Sequence, residues 1–161
     1  MRMRKFSQLL VVMLLLLFWH TPADACFGAK VRVGVPHDRA GSLAAYSVGY
    51  FIEEKTGIGP EFVEADDLYE ALLKNELDVL IEPGGAGLRK EAETREAGSI
   101  PGIGGSRFVL RREMLDDLRF STVEKALNMM PAFFGSGAYG EAAGSAVDAR
   151  KAARKAVADG T

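Results

Sequence analysis

Histidine, aspartate, arginine and serine crowd one short stretch of this chain, Pro36-His37-Asp38-Arg39-Ala40-Gly41-Ser42, directly after a Val-rich segment. A second polar group, Glu82-Pro83-Gly84-Gly85, follows another apolar segment. Where such segments pair as parallel strands, ligands sit beyond their carboxyl ends, which makes these two groups the candidate binding loops. Ser42 and the free amides of a helix start would receive a carboxylate or other anion, with Arg39 adding charge, while Glu82 or Asp38 would receive a cation. The plainer alternative is that Ser42 caps a helix, Arg39 and Asp38 pair at the surface, and Glu82 is exposed. The candidate ligand-binding set is His37, Asp38, Arg39, Gly41, Ser42, Glu82 and Gly84.

No other spacing carries chemistry as well. His37 is the only histidine after residue 25, and without H-x-x-x-H spacing or a cysteine nearby it reads as a loop residue rather than a base or metal ligand. Gly135-Ser136-Gly137-Ala138-Tyr139-Gly140 fits G-x-G-x-x-G to the letter. No strand leads into it, so it carries no dinucleotide site. There is no P-loop, G-x-S-x-G elbow or Ser-His-Asp order, so no enzyme activity, cofactor or metal is expected. Tyr46, Tyr50 and Phe51 recur at helical spacing and are core by default.

The elements that would position the two loops are legible as periods. Lys30 to Val35 alternates polar and apolar, as a half-buried strand does, and Pro36 ends it. A helix capped by Ser42 is predicted from Leu43 to Thr56, stopped by Gly57. Glu61 to Glu64 reads as a second strand, Asp67-x-x-Glu70 as the start of a helix reaching Asn75, and Leu77 to Ile81 as a third strand covered on both faces. Strand, helix, strand, helix, strand implies parallel pairing with right-handed crossovers. The fold class is therefore α/β, a small mostly parallel sheet with helices on both faces. Residues 84–106, charged and then glycine-rich, read as a linker or mobile loop. Arg107 to Leu110 is a candidate fourth strand, and Glu113 to Leu118 a short helical turn. Ser121-x-x-Glu124 is a capping box for a helix closed by Pro131, and residues 136–161 form a Gly/Ala-rich segment with a solvated terminal helix.

The N-terminus places Arg2, Arg4 and Lys5 before an apolar run from Leu9 to Trp19, then Thr21-Pro22-Ala23-Asp24-Ala25. That order is a secretory signal over residues 1–25, and the run, about 16 Å long as a helix, falls short of a hydrocarbon core of about 30 Å. Cleavage after Ala25 would leave the only cysteine, Cys26, as the first residue of a periplasmic or otherwise extracytoplasmic protein. Two readings of Cys26 stand side by side: a lipid attachment site, which would be the chain's one route to a membrane, and an incidental free thiol. Residues 26–161 make one domain, its α/β lobe spanning 26–135. Taking three basic and one acidic residue from the chain's 20 and 22 leaves 17 against 21, a net charge of −4. Such a protein has no bulk attraction for nucleic acid or anionic membrane.

Lys30 to Pro83 resembles the opening of the first lobe of type 2 periplasmic substrate-binding proteins, especially the glycine betaine branch of ABC importers. The matching phrases are Val31-Arg32-Val33-Gly34-Val35, the helix ending Glu53-Glu54-Lys55-Thr56-Gly57, the strand at Phe62-Val63, and Asn75-Glu76-Leu77-Asp78-Val79-Leu80-Ile81-Glu82. Phe108 to Leu115 is similar to the family's return segment. The resemblance implies a non-catalytic solute-binding lobe whose partners are a small-molecule solute and an ABC permease. The chain departs from the family in having only about two dozen residues where a second lobe belongs, and no Trp after residue 25. A one-lobe relative would bind alone, pair as a homodimer, or serve as an accessory scaffold for another envelope protein.

Overall fold

The computed structural model describes residues 28–84 and 92–161; the expected export signal, Cys26 and Gly85 lie outside the described residues. Val31, Val33 and Val35 are buried while Arg32 between them is half-exposed, so alternation sets β1 (Val31–Gly34) with one face inward. Parallel partners flank it, β2 (Pro60–Val63) on one side and β3 (Val79–Pro83) on the other. An antiparallel hairpin, β4 (Ala92–Ile100) and β5 (Gly104–Arg111), completes the sheet through β5, giving the order β2-β1-β3-β5-β4. The sheet is mixed, with β5 alone running against the other four strands.

The first two helices, α1 (Arg39–Thr56) and α2 (Leu68–Leu73), are the two crossovers. Five further segments follow: α3 (Arg112–Asp116), a 3-10 turn (Leu118–Phe120), α4 (Ser121–Phe134), α5 (Gly137–Gly144) and α6 (Ala149–Gly160). Helices α1 and α4 bury Leu43, Val48, Phe51, Leu127 and Met130 on one sheet face, with α6 laid against α1. The short α2 covers Leu80 and Val109 on the other. Helices thus stand on both faces, as the sequence pattern requires.

Three readings of the sequence are corrected. Within the expected loop 84–106, residues 92–100 form a nine-residue edge strand. Its charges are satisfied sideways: Arg95 binds Glu124 at 2.8 Å and Arg112 binds Glu93 at 3.0 Å. Its glycines supply conformations that a hairpin needs, since Gly98, Gly102 and Gly104 all have φ between 77° and 87°, at a bulge and a turn. Charge and glycine here are the marks of a blunted edge strand rather than of a linker. Second, α4 passes through Pro131 to Phe134. Burial of Met130, Phe133 and Phe134 offsets the roughly 3 kcal/mol cost of an internal proline. Ser121 lies inside this helix rather than capping it, and Glu124 is spent on Arg95. Third, the terminal helix is solvated on one face only, because Ala152, Ala153, Ala156 and Val157 are buried. Tyr139, inside the G-x-G-x-x-G text, is a fully buried core residue against Phe133 and Phe134.

Asp78 ties the sheet together at the amino end of β3. Its side chain is only 3% exposed, and two guanidinium groups converge on it. Arg32 of β1 donates from Nε at 3.1 Å, from Nη2 at 2.9 Å and from its backbone N–H at 2.8 Å. Arg111, ending β5, donates from Nη2 at 2.7 Å and reaches Asn75 Oδ1 at 2.8 Å. Burial pushes the Asp78 carboxyl up, but the hydrogen bonds and charge of Arg32, with Arg111 adding to them, outweigh it and hold the carboxyl below its ordinary range. The strand predicted to begin at Leu77 runs from Val79, and Asp78 just before it already donates its backbone N–H to the Arg32 carbonyl at 2.8 Å and accepts from the Arg111 N–H at 3.2 Å.

Replacing Asp78 by Ala leaves two arginines facing a vacated site. It should cost about 3 kcal/mol in denaturant unfolding, the low end for a broken buried pair because both arginines keep some solvent contact. A carboxyl whose folded pKa is depressed contributes stability that is present above its unfolded value, near 4, and lost as pH falls through the folded one. The melting-temperature gap between the wild type and Asp78→Asn should therefore narrow below about pH 4. A gap constant with pH would assign the loss to packing instead.

Candidate functional site

The carboxyl ends of β1, β2, β3 and β4 share one end of the sheet, and the loop from Pro36 to Ser42 lies there. Asp38, not Ser42, caps α1: it is extended at φ −77°, ψ 151°, and its Oδ1 accepts from the Gly41 N–H at 2.8 Å. The helix consequently starts at Arg39, four residues before the predicted Leu43. Ser42 turns its hydroxyl back, within 2.7 Å of both the Pro36 and the Asp38 carbonyl oxygens. Gly41 is buried, and a Cβ there would stand 2.7 Å from Asp38 Oδ2 and 2.9 Å from the Pro36 ring. Asp38, Gly41 and Ser42 thus hold the loop's own shape. His37 is exposed. Arg39 points across to α5, where Nη2 donates to the Ser145 carbonyl, and no ion pair engages it among the described residues.

The second half of the expected site lies elsewhere. Glu82 follows Leu80 by two residues and so shares its sheet face, opposite the face that α1 covers. There it accepts from Arg107 across the β3–β5 pair, at 2.8 Å from Nη2 and 3.1 Å from Nε, with both side chains largely buried. Gly84 continues the ladder, its N–H 2.5 Å from the Gly105 oxygen, and a Cβ would meet that oxygen at 2.9 Å. Glu82 is therefore not brought to the loop at 36–42: side-chain alternation turns it to the face opposite α1.

What closes over the start of α1 instead is the β4–β5 turn. Pro101 and Gly102, with Arg39, Ala40 and Leu43 of α1 and Ala143 of α5, enclose a cleft of about 270 Å³. Gly102 has φ +87°, and a Cβ on it would come within 2.8 Å of Ala40 Cβ, so glycine is what lets the turn approach the helix. The cleft offers one guanidinium among apolar walls, a lining suited to a small anion with an apolar body. Leu43, Pro101, Gly102 and Ala143 were not among the residues marked by the sequence. The available signal was the pair of glycines bracketing Ile103, which reads as a hairpin turn once β4 is seen as a strand.

A second polar-aromatic cluster is structural. Tyr46 and Tyr50 meet Phe62 edge-on, with centroids 4.8 and 5.4 Å apart. From α6, Arg154 lies over Tyr50 at 4.3 Å and Arg150 over Phe62 at 5.2 Å, with Arg150 Nε donating to the Tyr50 hydroxyl at 2.9 Å. These contacts fasten α6 onto α1 and β2. Among the described residues no group of three or more His, Cys, Asp or Glu is placed to hold a metal ion. No helix among them is long and apolar enough to cross a membrane.

Comparison with protein-family models, with curated proteins and with solved structures returns no match to this chain.

Two substitutions separate loop support from cleft shape. Asp38→Ala should lower unfolding free energy by about 1 kcal/mol through the lost cap. Gly102→Ala, at positive φ and against Ala40, should cost at least about 1 kcal/mol and displace the turn. Denaturant melts of both variants check the pair; a neutral Gly102→Ala would show that the turn does not bear on α1.

Proposed function

We propose that this protein is a non-catalytic solute-binding lobe that takes a small organic anion, of carboxylate type, in the cleft between the first turn of α1 and the β4–β5 turn. The observation that carries the reading is Arg39, the one charged side chain lining a cleft of about 270 Å³ at the carboxyl ends of the parallel strands. A volume just below the range of about 300–1,000 Å³ usual for drug-sized ligands fits a compact solute. The carboxylate would take the Arg39 N–H groups left over from Ser145, and the apolar body would lie on Leu43, Pro101 and Ala143. Export to the periplasm and service to an ABC importer belong to the same reading, supported by the N-terminal pattern and the resemblance in residues 30–83.

The rival reading, a scaffold for an envelope protein, draws on one fact: Asp38, Ser42 and Glu82, the strongest polar candidates, are all engaged internally. Thermal unfolding against a panel of short carboxylates, amino acids, betaines and polyamines separates the two. A ligand at 100 times its dissociation constant should add about 2.7 kcal/mol and raise the melting temperature by several degrees. Arg39→Gln should weaken a carboxylate hit about tenfold, some 1.4 kcal/mol, with only a small drop in the melting temperature of the free protein, because the bond to Ser145 that it loses is exposed. Silence across the panel in a protein that melts cooperatively would overturn solute binding in favour of the scaffold. A cationic hit untouched by Arg39→Gln would move the site elsewhere.

A further inference from the structure

A groove of about 390 Å³ lies on the outer side of the C-terminal hairpin, between α5 and α6. Its floor is alanine, with Ala142, Ala152 and Ala156 buried where the two helices meet. Its charged lining is Glu141 on the α5 side and Lys151, Lys155 and Asp159 on the α6 side. Glu141 and Lys151 face the same groove, yet neither has an ion-pair partner among the described residues. Lys155 reaches only Asp159, at 3.7 Å, and both are more than half exposed. A surface with unpaired acid on one helix and unpaired base on its neighbour is self-complementary under a two-fold axis, which lays the acidic helix of one subunit over the basic helix of the other.

We infer that this groove seats the same hairpin of a second copy of the chain, forming a two-fold dimer in which Glu141 of each subunit faces Lys151 of the other. Two antiparallel helix pairs joined in this way make a four-helix arrangement. Val147, half exposed in the turn between the helices, adds an apolar contact at the groove's end. The helices are only about 12 and 18 Å long, so the face falls short of the roughly 1,200 Å² of a tight complex, and the dimer forms in a concentration-dependent way.

This inference does not depend on solute binding, and its readout is mass rather than ligand response. Sedimentation velocity of the purified protein, up to about 0.5 mM in roughly 0.15 M salt, should show monomer passing to dimer. Lys151→Glu should raise the dissociation constant at least about tenfold, and adding Glu141→Lys to it should restore association. A protein that stays monomeric at the highest concentration overturns the dimer, and association that every variant retains overturns this surface.

Discussion

The carboxylate of Asp78 is the point on which the sheet is built. Among the described residues it is the only charged one buried as deeply as the core, and it faces two arginines from different strands. One of them belongs to the parallel half of the sheet and the other ends the antiparallel hairpin. Without it, β3 would have to join those halves through a single register match to β1, Val33 with Val79, and its ladder to β5. A charge taken out of water so completely is tolerable only when every lone pair is engaged, and here hydrogen bonds from two guanidinium groups and a backbone N–H engage them. The clamp therefore sets the amino end of β3 and, through β5, where the hairpin begins.

Fixing that end determines what the other end can do. With β5 registered against β3, the β4–β5 turn is carried to the carboxyl end of β1, where α1 starts, and glycine at 102 allows it to close on Ala40. The polar residues at this end are spent on geometry: Asp38 and Ser42 shape the entry into α1, and Glu82 neutralises Arg107 on the far face. One cation, Arg39, is left over. A cleft formed in this way recognises by shape and a single charge.

Much of this was legible in the sequence, and the failures have common causes. The valines at 31, 33 and 35, Gly57 as a left-handed helix stop, and Asp67 as a cap are local signals with local outcomes, and each forms as its pattern dictates. What could not be read locally was decided by partners distant in sequence. Glu93 and Arg95 look like linker until Arg112 and Glu124 are beside them, and Pro131 looks like a stop until the core offers room for two more phenylalanines. Glu82 was read as part of the group following the third strand, whereas it lies within that strand and faces away from α1. Which face a residue occupies depends on register, which the apolar run from Leu77 to Ile81 leaves open.

The C-terminal helices connect the two surfaces. Ala143 of α5 walls the cleft, the Ser145 carbonyl just beyond it holds Arg39, and Glu141 of the same helix faces the outer groove. Arg150 and Arg154 in turn fasten α6 to the aromatic edge of α1 and β2, so α5 is held against a rigid neighbour on one side and is open on the other. An eight-residue helix rich in glycine has little stability of its own. Contacts that steady α5 from outside would therefore also steady the carbonyl against which Arg39 is oriented. Coupling between two such surfaces is reciprocal by thermodynamic necessity: if association orders α5 in the conformation that the cleft requires, then filling the cleft favours association to the same degree.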